Sequence, residues 1–170
     1  VAITRERSNE AVRQRDALLS AVTAAAVAIM TEPYLHEAIS KSLETVAKGV
    51  RADRMFVMEV VPTSGGAPQM LMRNSWHTPK VTMRFDVLLR ALSGPTAPDL
   101  YEWASPLRQG QAVKGCLSTV PSGVREVFEK LDTQSTLIVP ILIDGKYWGH
   151  ISFDDCNTER DWSNTEVDIL

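Results

Sequence analysis

Two apolar runs on either side of Asp144-Gly145 form the clearest hydrophobic pattern in the chain, within residues 134–156. An Asp-Gly pair between such runs is typical of a β-hairpin with a two-residue loop, because a type I′ turn needs positive φ at both central residues. The pattern therefore predicts that these residues form the central hairpin of a sheet.

The two-residue loop also fixes how the two strands pair, so that Ile141 should face Trp148 and Val139 should face His150. Because side chains alternate between the faces of a strand, the hairpin has two unlike sides. One side is almost entirely apolar, whereas the other is apolar with polar groups set into it, which is typical of a pocket wall. An ordinary two-sided core with one irregular face is the alternative. The mixed side consists of Leu137, Val139, Ile141, Ile143, Trp148, His150, Ser152 and Asp154.

Residues 4–30 have the apolar spacing of one long helix. Val12, Leu19 and Ala26 recur every seven residues, over too short a stretch to establish a coiled coil. A run of small residues at 24–28 would allow close approach of another helix, either within the domain or from a second copy of the chain.

Glu32-Pro33 separates this helix from a second, strongly amphipathic one, which we expect to end near Gly49. Near the other end of the chain, Ser163 and Glu166 have the spacing of a capping box and predict that a helix begins there. The chain starts without Met inside a helix and stops soon after another helix begins, so we expect a fragment of a longer protein.

The remaining residues predict a mixture of strands and helices, in an order that indicates an α+β fold. Neighbouring strands joined by short loops imply an antiparallel sheet covered by helices. Strands are predicted at 53–61, 69–76 and 111–117, with a turn at 63–68 and helices at 81–92, 99–107 and 121–131.

Composition and charge narrow the class of protein. The 170 residues are 44% hydrophobic and 23% charged, which suits one globular domain with a full core. The net charge of −3, without a basic stripe, gives no support to nucleic-acid binding. We find no signal peptide and no apolar run long enough to cross a bilayer, so we expect a cytoplasmic protein without direct membrane contact. The two cysteines and three histidines show no metal-ligand spacing.

At the level of motifs, the chain resembles a GAF domain from about Leu35 to Leu170. The resemblance implies a GAF-like sandwich with a six-stranded antiparallel sheet, terminal helices on one face, and a ligand cleft with short helices on the other. It divides the chain into an N-terminal signalling and dimerisation helix at 1–31 and a GAF domain at 32–170, whose exit helix starts at 163–170. The matching segments read VRADR at 50–54, LIVPI at 137–141, WGHISFDDC at 148–156 and ERDW at 159–162.

The resemblance implies a sensory or regulatory module of a bacterial signalling protein, rather than a catalyst. Such a module would bind an unidentified small molecule, form a homodimer through its N-terminal helix, and control an output domain such as that of a sensor histidine kinase. One alternative is a ligand-free dimerisation and linker scaffold in a diguanylate cyclase or another cyclic-nucleotide signalling protein. A remote alternative is a thiol redox enzyme using Cys116 and Cys156.

Known ligand motifs of GAF domains are not matched, so no cofactor is assigned. The Asn-Lys…Phe…Asp-Glu pattern of cyclic-nucleotide sites cannot be placed on this sequence, and Cys116 lacks the neighbouring His typical of covalent bilin sites. His150 could ligate haem, but a lone His on a half-apolar strand is more often a hydrogen-bonded wall residue.

We expect no catalytic centre, because Asp154 and Asp155 should point to opposite faces of their strand. One of them would cap the loop that follows or pair with Arg160. The candidate residues of the cleft wall are Trp76, Trp103, Cys116, Val139, Ile141, Trp148, His150, Ser152 and Asp154.

Overall fold

A computed structural model describes the backbone of residues 2–63 and 69–170. It describes the side chains of the same residues except 2–8 and 35. The predicted turn at 63–68 therefore lies largely outside the described residues. The chain forms two compact units: Val1–Ala52 together with Ser163–Leu170, and Asp53–Trp162.

The first unit is helical. Helix α1 (Ala2–Thr31) and helix α2 (Leu35–Val50) pack against each other, and the short helix α6 (Asn164–Ile169) completes the unit. The break at Glu32-Pro33 is as predicted. Small residues let α1 and α2 approach closely, and the Ser42 hydroxyl of α2 donates a 3.0 Å hydrogen bond to the Ala25 carbonyl of α1.

Helix α2 ends one residue after Gly49, close to the predicted position, but Gly49 is not the residue that caps it. The helix continues to Val50, and Arg51 takes the left-handed conformation (φ 59°) that closes it. Gly49 is instead the point of closest approach to α1, because a Cβ there would lie 2.4 Å from the Cβ of Ala21. A glycine near a helix end thus serves packing here rather than capping.

The start of α6 has the predicted capping box. The Ser163 hydroxyl accepts a 3.3 Å hydrogen bond from the backbone N–H of Glu166, whose carboxylate accepts one of 2.8 Å from the backbone N–H of Ser163. The same carboxylate accepts a 3.2 Å bond from the side chain of Gln14, which ties α6 to α1 within this unit.

The second unit is built on an antiparallel sheet in the strand order β2-β1-β5-β4-β3. This confirms the α+β class and the antiparallel sheet. The strands are β1 (Arg54–Val61), β2 (Gln69–His77), β3 (Val113–Cys116), β4 (Ser135–Ile143) and β5 (Lys146–Asp155). The helices are α3 (Phe85–Ser93), α4 (Ala97–Trp103), a 3₁₀ helix (Ser105–Gln109) and α5 (Ser122–Lys130).

The sheet has five strands in the described residues, so the six-stranded expectation is wrong for this part of the chain. The residue pattern alone predicts five strands, and the sixth comes from the family resemblance. The segment between β2 and β3 forms α3, α4 and the 3₁₀ helix instead of another strand. Its apolar residues recur at helical rather than alternating spacing, and Pro98 and Pro106 lie in first helical turns, where proline is tolerated.

The central hairpin has the predicted turn, but its register is not the predicted one. Asp144 and Gly145 both have positive φ (52° and 73°), and Ile143 pairs with Lys146 as expected. Further along, Ile141 pairs with Gly149, so Trp148 is an extra residue that forms a β-bulge.

This bulge exchanges the faces that the sequence predicted for β4. Ile138, not Leu137, pairs with Ser152, and Leu137 pairs with Phe153. The bulge lies beside Gly149, where a Cβ would be 2.0 Å from the Met58 carbonyl oxygen of the neighbouring strand, so this position requires glycine. A glycine inside a strand pattern signals such a bulge or close backbone approach.

Candidate functional site

A cavity of about 100 Å³ lies inside the second unit, between one face of the sheet and the helices α3 to α5. Its walls are mostly apolar, with polar side chains confined mainly to the sheet. The sheet contributes Phe56, Met58, Met70, Thr136, Ile138, His150, Ser152 and Asp154. The helices and loops contribute Leu88, Leu92, Leu100, Tyr101, Trp103, Ala104, Leu107, Val127, Phe128, Leu131 and Thr133.

The cavity brings together four of the nine predicted wall residues, namely Trp103, His150, Ser152 and Asp154. The other five, Trp76, Cys116, Val139, Ile141 and Trp148, are not among its lining residues. Ligand binding by any of the nine stays a prediction.

The bulge accounts for the positions of Val139 and Ile141. It turns Val139 away from His150, so that Val139 pairs with Ile151 and Ile141 with Gly149. Trp76 pairs across the sheet with Met55, which alternates with the cavity residue Phe56 and so points to the opposite face.

Apart from Trp103, sequence reasoning missed the helical half of the cavity, and it did not place Thr136 and Ile138 on the cavity wall. Residues such as Leu88, Leu100 and Phe128 have the spacing of an ordinary core stripe. A core stripe and a cavity wall have the same amphipathic pattern, so nothing in the pattern separates them.

Arg54 is fully buried (0% exposed) and forms the centre of a hydrogen-bonded network at the end of the cavity. Its Nε and Nη2 donate to Oδ2 of Asp154 at 2.9 and 2.8 Å. Nη1 donates to the Leu131 carbonyl at 2.9 Å, and Nη2 donates to the Thr133 hydroxyl at 2.6 Å. The other oxygen of Asp154 accepts a 2.6 Å bond from Thr136. The network joins β1, β4 and β5 to the loop that follows α5.

The charges of Arg54 and Asp154 neutralise each other within this ion pair. Burial opposes the charge on Arg54, yet the Asp154 carboxylate beside it holds the pKa of the guanidinium above its ordinary value. Arg54 therefore offers no free cation to a ligand in the cavity.

Asp155 caps the loop after β5, as one of the sequence alternatives predicted. Its carboxylate accepts hydrogen bonds from the backbone N–H groups of Asn157 and Thr158 at 2.9 and 2.8 Å. Asp154 pairs with Arg54, which lies 100 residues earlier and which the sequence did not connect to it.

His150 is almost completely buried (8% exposed), and its Nδ1 lies 2.7 Å from the Tyr147 hydroxyl. The two rings are nearly parallel, with centroids 6.4 Å apart. Residues three positions apart on a regular strand point to opposite faces, and the bulge at Trp148 brings these two to the same side. Burial lowers the pKa of His150 to about 4 and raises the pKa of Tyr147 to about 12. Both side chains are therefore neutral at physiological pH.

The two cysteines are free and do not form a redox pair. Cys116 lies on β3 and Cys156 directly follows β5, with β4 between them, so about 10 Å of sheet separates their strands. Burial raises the pKa of both thiols, to about 12 for Cys156, which disfavours the thiolate that redox chemistry needs. These observations argue against the thiol redox alternative.

Within residues 2–63 and 69–170, no group of three or more His, Cys, Asp or Glu side chains could hold a metal ion. In that same part of the chain, no helix combines the length and apolarity needed to cross a bilayer.

A profile of the GAF domain family matches residues 34–170, and the chain therefore belongs to the GAF domain family. The methanogenesis regulatory histidine kinase FilI of Methanothrix harundinacea is 32% identical over 158 residues. That alignment covers 92% of this chain and 18% of the kinase, so the chain spans about a fifth of the length of this relative.

Solved structures support the same fold. GAF3 of Slr1393 from Synechocystis sp. PCC6803 has a TM-score of 0.65 at 16% identity, covering 81% of this chain and 86% of that one. The phycocyanobilin-bound GAF domain of a cyanobacterial phytochrome has a TM-score of 0.63 at 15% identity, covering 91% and 86%. A domain of a protein described as a two-component sensor histidine kinase from Sinorhizobium meliloti 1021 has a TM-score of 0.56 at 10% identity, covering 81% and 83%.

Removing the carboxylate of the buried pair should severely destabilise the fold. Asp154→Ala leaves the Arg54 charge buried without a counter-charge, and we expect the free energy of unfolding to fall by about 3–5 kcal/mol. Urea unfolding followed by circular dichroism measures this. As a control, Glu44→Ala breaks the exposed Lys48–Glu44 pair and should cost less than about 1 kcal/mol. Equal effects of the two substitutions would contradict the importance of the buried pair.

His150 should make the protein less stable in mild acid. Because its folded pKa lies below the ordinary 6.5, the unfolded chain binds the proton more tightly, and stability present above pH 6.5 is lost as the pH falls towards 4. Between pH 7.5 and 4, the free energy of unfolding should drop by about 3 kcal/mol more in the wild type than in His150→Gln. The control is His36→Gln, the same substitution at an exposed position. Parallel curves for the wild type and His150→Gln would show that His150 titrates normally.

Proposed function

We propose that this GAF domain is a sensory module that binds a small molecule in the cavity of its second unit and regulates a cytoplasmic histidine kinase output domain. The observation that carries the proposal is a mostly apolar cavity with a few buried polar groups on one wall, which is the usual composition of a ligand site. The 32% identity to a regulatory histidine kinase over nearly the whole chain supports this type of output.

The size of the cavity restricts the ligand. Sites for drug-sized molecules occupy roughly 300–1,000 Å³, whereas this cavity has about 100 Å³. A bilin such as that of the phytochrome relative would not fit without rearrangement, and Cys116 lies outside the cavity wall. The ligand that we propose is therefore much smaller than a tetrapyrrole.

A ligand in this cavity can act as a signal only if it binds one conformation of the domain more tightly than another. The helices α3 to α5 cover one side of the cavity, and their packing against the sheet would differ between the occupied and the empty state. Differential affinity for these two states would shift their populations.

Filling the cavity should abolish binding. Ala104 lines the cavity, and Ala104→Leu would occupy much of its free space. We expect native mass spectrometry or a thermal-shift screen of small molecules to detect a ligand on the wild type and none on Ala104→Leu. Ala11→Leu, the same change at an exposed helical position, should bind like the wild type. Ligand binding that survives Ala104→Leu would place the site elsewhere.

A ligand-free scaffold, in a diguanylate cyclase or a similar protein, is the second candidate function. The small volume favours it, because Trp103 packs edge-on against Phe128 with ring centroids 5.8 Å apart and fills much of the cleft. Trp103 is itself held tightly, since a Cβ at Gly115 would lie 2.9 Å from its indole ring. A domain that binds nothing in the screen would support this function.

We also propose that α1 forms a homodimer with a second copy of the chain. Leu18, Ala21 and Ala25 are buried on one side of α1, whereas Val12 (53% exposed) and Leu19 (40% exposed) lie on the other side. Ala26 and Met30 extend this second stripe, because steps of seven and four residues keep all four side chains on the same side of the helix. A matching stripe on a second copy would cover it.

A charge in this stripe should disrupt the dimer. Leu19→Glu places a carboxylate in the proposed seam, and we expect the solution mass to fall from dimer to monomer in sedimentation velocity measurements. Ala24→Glu introduces the same charge at an exposed position of α1 away from the stripe and should leave the dimer intact. A Leu19→Glu variant that remains dimeric would move the interface elsewhere.

A further inference from the structure

Most polar groups on the cavity wall already have partners within the protein. Asp154 uses both oxygens on Arg54 and Thr136, and the Tyr101 hydroxyl donates to the Leu92 carbonyl at 3.1 Å. Such groups are satisfied and offer little to a ligand.

His150 and Ser152 differ from these groups. Nδ1 of His150 is engaged by Tyr147, but within the described ranges no residue hydrogen-bonds its Nε2 or the hydroxyl of Ser152. Both residues are more than nine-tenths buried (8% and 7% exposed) and both line the cavity. They lie two positions apart on β5, so their side chains stand on the same face, on Cα atoms about 7 Å apart.

The hydrogen bond to Tyr147 determines which nitrogen of His150 carries the proton. The phenol of Tyr147 is un-ionised and has no other acceptor among the residues described, so we assign its O–H as the donor to Nδ1. The neutral imidazole then carries its single proton on Nε2. The cavity wall therefore presents an N–H donor from His150 beside the hydroxyl of Ser152.

No residue that lines the cavity carries an unpaired charge to match a charged ligand. Arg54 is saturated by Asp154, Leu131 and Thr133, and burial keeps the imidazole of His150 neutral. An ion without a counter-charge would incur a large desolvation cost in a cavity whose other walls are formed by Met58, Leu100 and Trp103. An uncharged molecule avoids that cost.

We propose that the cavity selects a small, uncharged molecule with an apolar body and a carbonyl oxygen, which accepts hydrogen bonds from Nε2–H of His150 and the hydroxyl of Ser152. This inference rests on the proposed ligand-binding function and specifies its chemistry. The volume of about 100 Å³ is somewhat below the roughly 150 Å³ of an engineered apolar cavity that holds benzene. A compact ring ketone, which is slightly larger than benzene, therefore tests the upper size limit of the cavity.

Three probes of similar shape but different polarity test the proposal on the purified chain: cyclohexanone, methylcyclohexane and cyclohexanecarboxylate. We expect cyclohexanone to bind most tightly in NMR titrations and to shift the Nε2 resonance of His150 in the ¹⁵N-labelled wild type. This second readout needs no substitution, so it remains decisive if a cavity variant fails to fold.

Removing the N–H donor of His150 should weaken the binding of the ketone but not that of the hydrocarbon. His150→Phe keeps an aromatic ring but removes the N–H, and cyclohexanone affinity should fall about tenfold, the value of one ordinary hydrogen bond. Methylcyclohexane affinity should stay within about twofold. His36→Phe, at an exposed position, should change neither.

The alternative outcomes separate this inference from the function on which it rests. Tighter binding of methylcyclohexane or the carboxylate than of the ketone would overturn the proposed ligand chemistry and leave the cavity as a ligand site. Binding of none of the three probes, with no small molecule found by the native mass spectrometry screen, would overturn the ligand-binding function as well.

Discussion

The buried ion pair of Arg54 and Asp154 is the interaction on which the second unit most depends. The pair joins β1 and β5, which are first and last along the chain but lie side by side in the sheet. The remaining hydrogen bonds of Arg54 reach Leu131 and Thr133 in the loop after α5. A buried charge is tolerated only when its partner and its hydrogen bonds are all in place. The network therefore holds the strands of the sheet and one wall of the cavity in fixed positions relative to each other. It also leaves no unpaired charge among the residues that line the cavity.

The cavity of this domain is small and is lined by no unpaired charge, and its likeness to bilin-bound structures does not assign it their ligand. At 14–15% identity those likenesses carry the fold alone, and the chemistry of the site has to come from its own side chains. In this cavity the available side-chain groups are Nε2 of His150 and the hydroxyl of Ser152, and apolar residues of the helices α3 to α5 form most of the other walls. The cavity offers hydrogen bonds and shape rather than charge or covalent attachment.

Much of the fold could be predicted from the sequence, because the determining signals are local. The Asp144-Gly145 turn, the break at Glu32-Pro33 and the capping box at Ser163 each depend on a few neighbouring residues. The pairing of Arg54 with Asp154 could not be predicted, since it joins residues that are distant along the chain. Gly149 is a local sign of the bulge in the sequence. Only the close approach of the Met58 carbonyl oxygen shows why this position requires glycine.

The bulge at Trp148 has a consequence for how this hairpin can vary. On either side of it, the positions of β5 on the same side of the sheet follow opposite parity: Tyr147 is odd-numbered, whereas His150, Ser152 and Asp154 are even-numbered. Without the extra residue Trp148, side chains at the tip and at the base of the hairpin that now share a face would point to opposite faces. Related chains could therefore lengthen or shorten this strand pair freely in steps of two residues, whereas a single-residue change would have to create or remove a bulge.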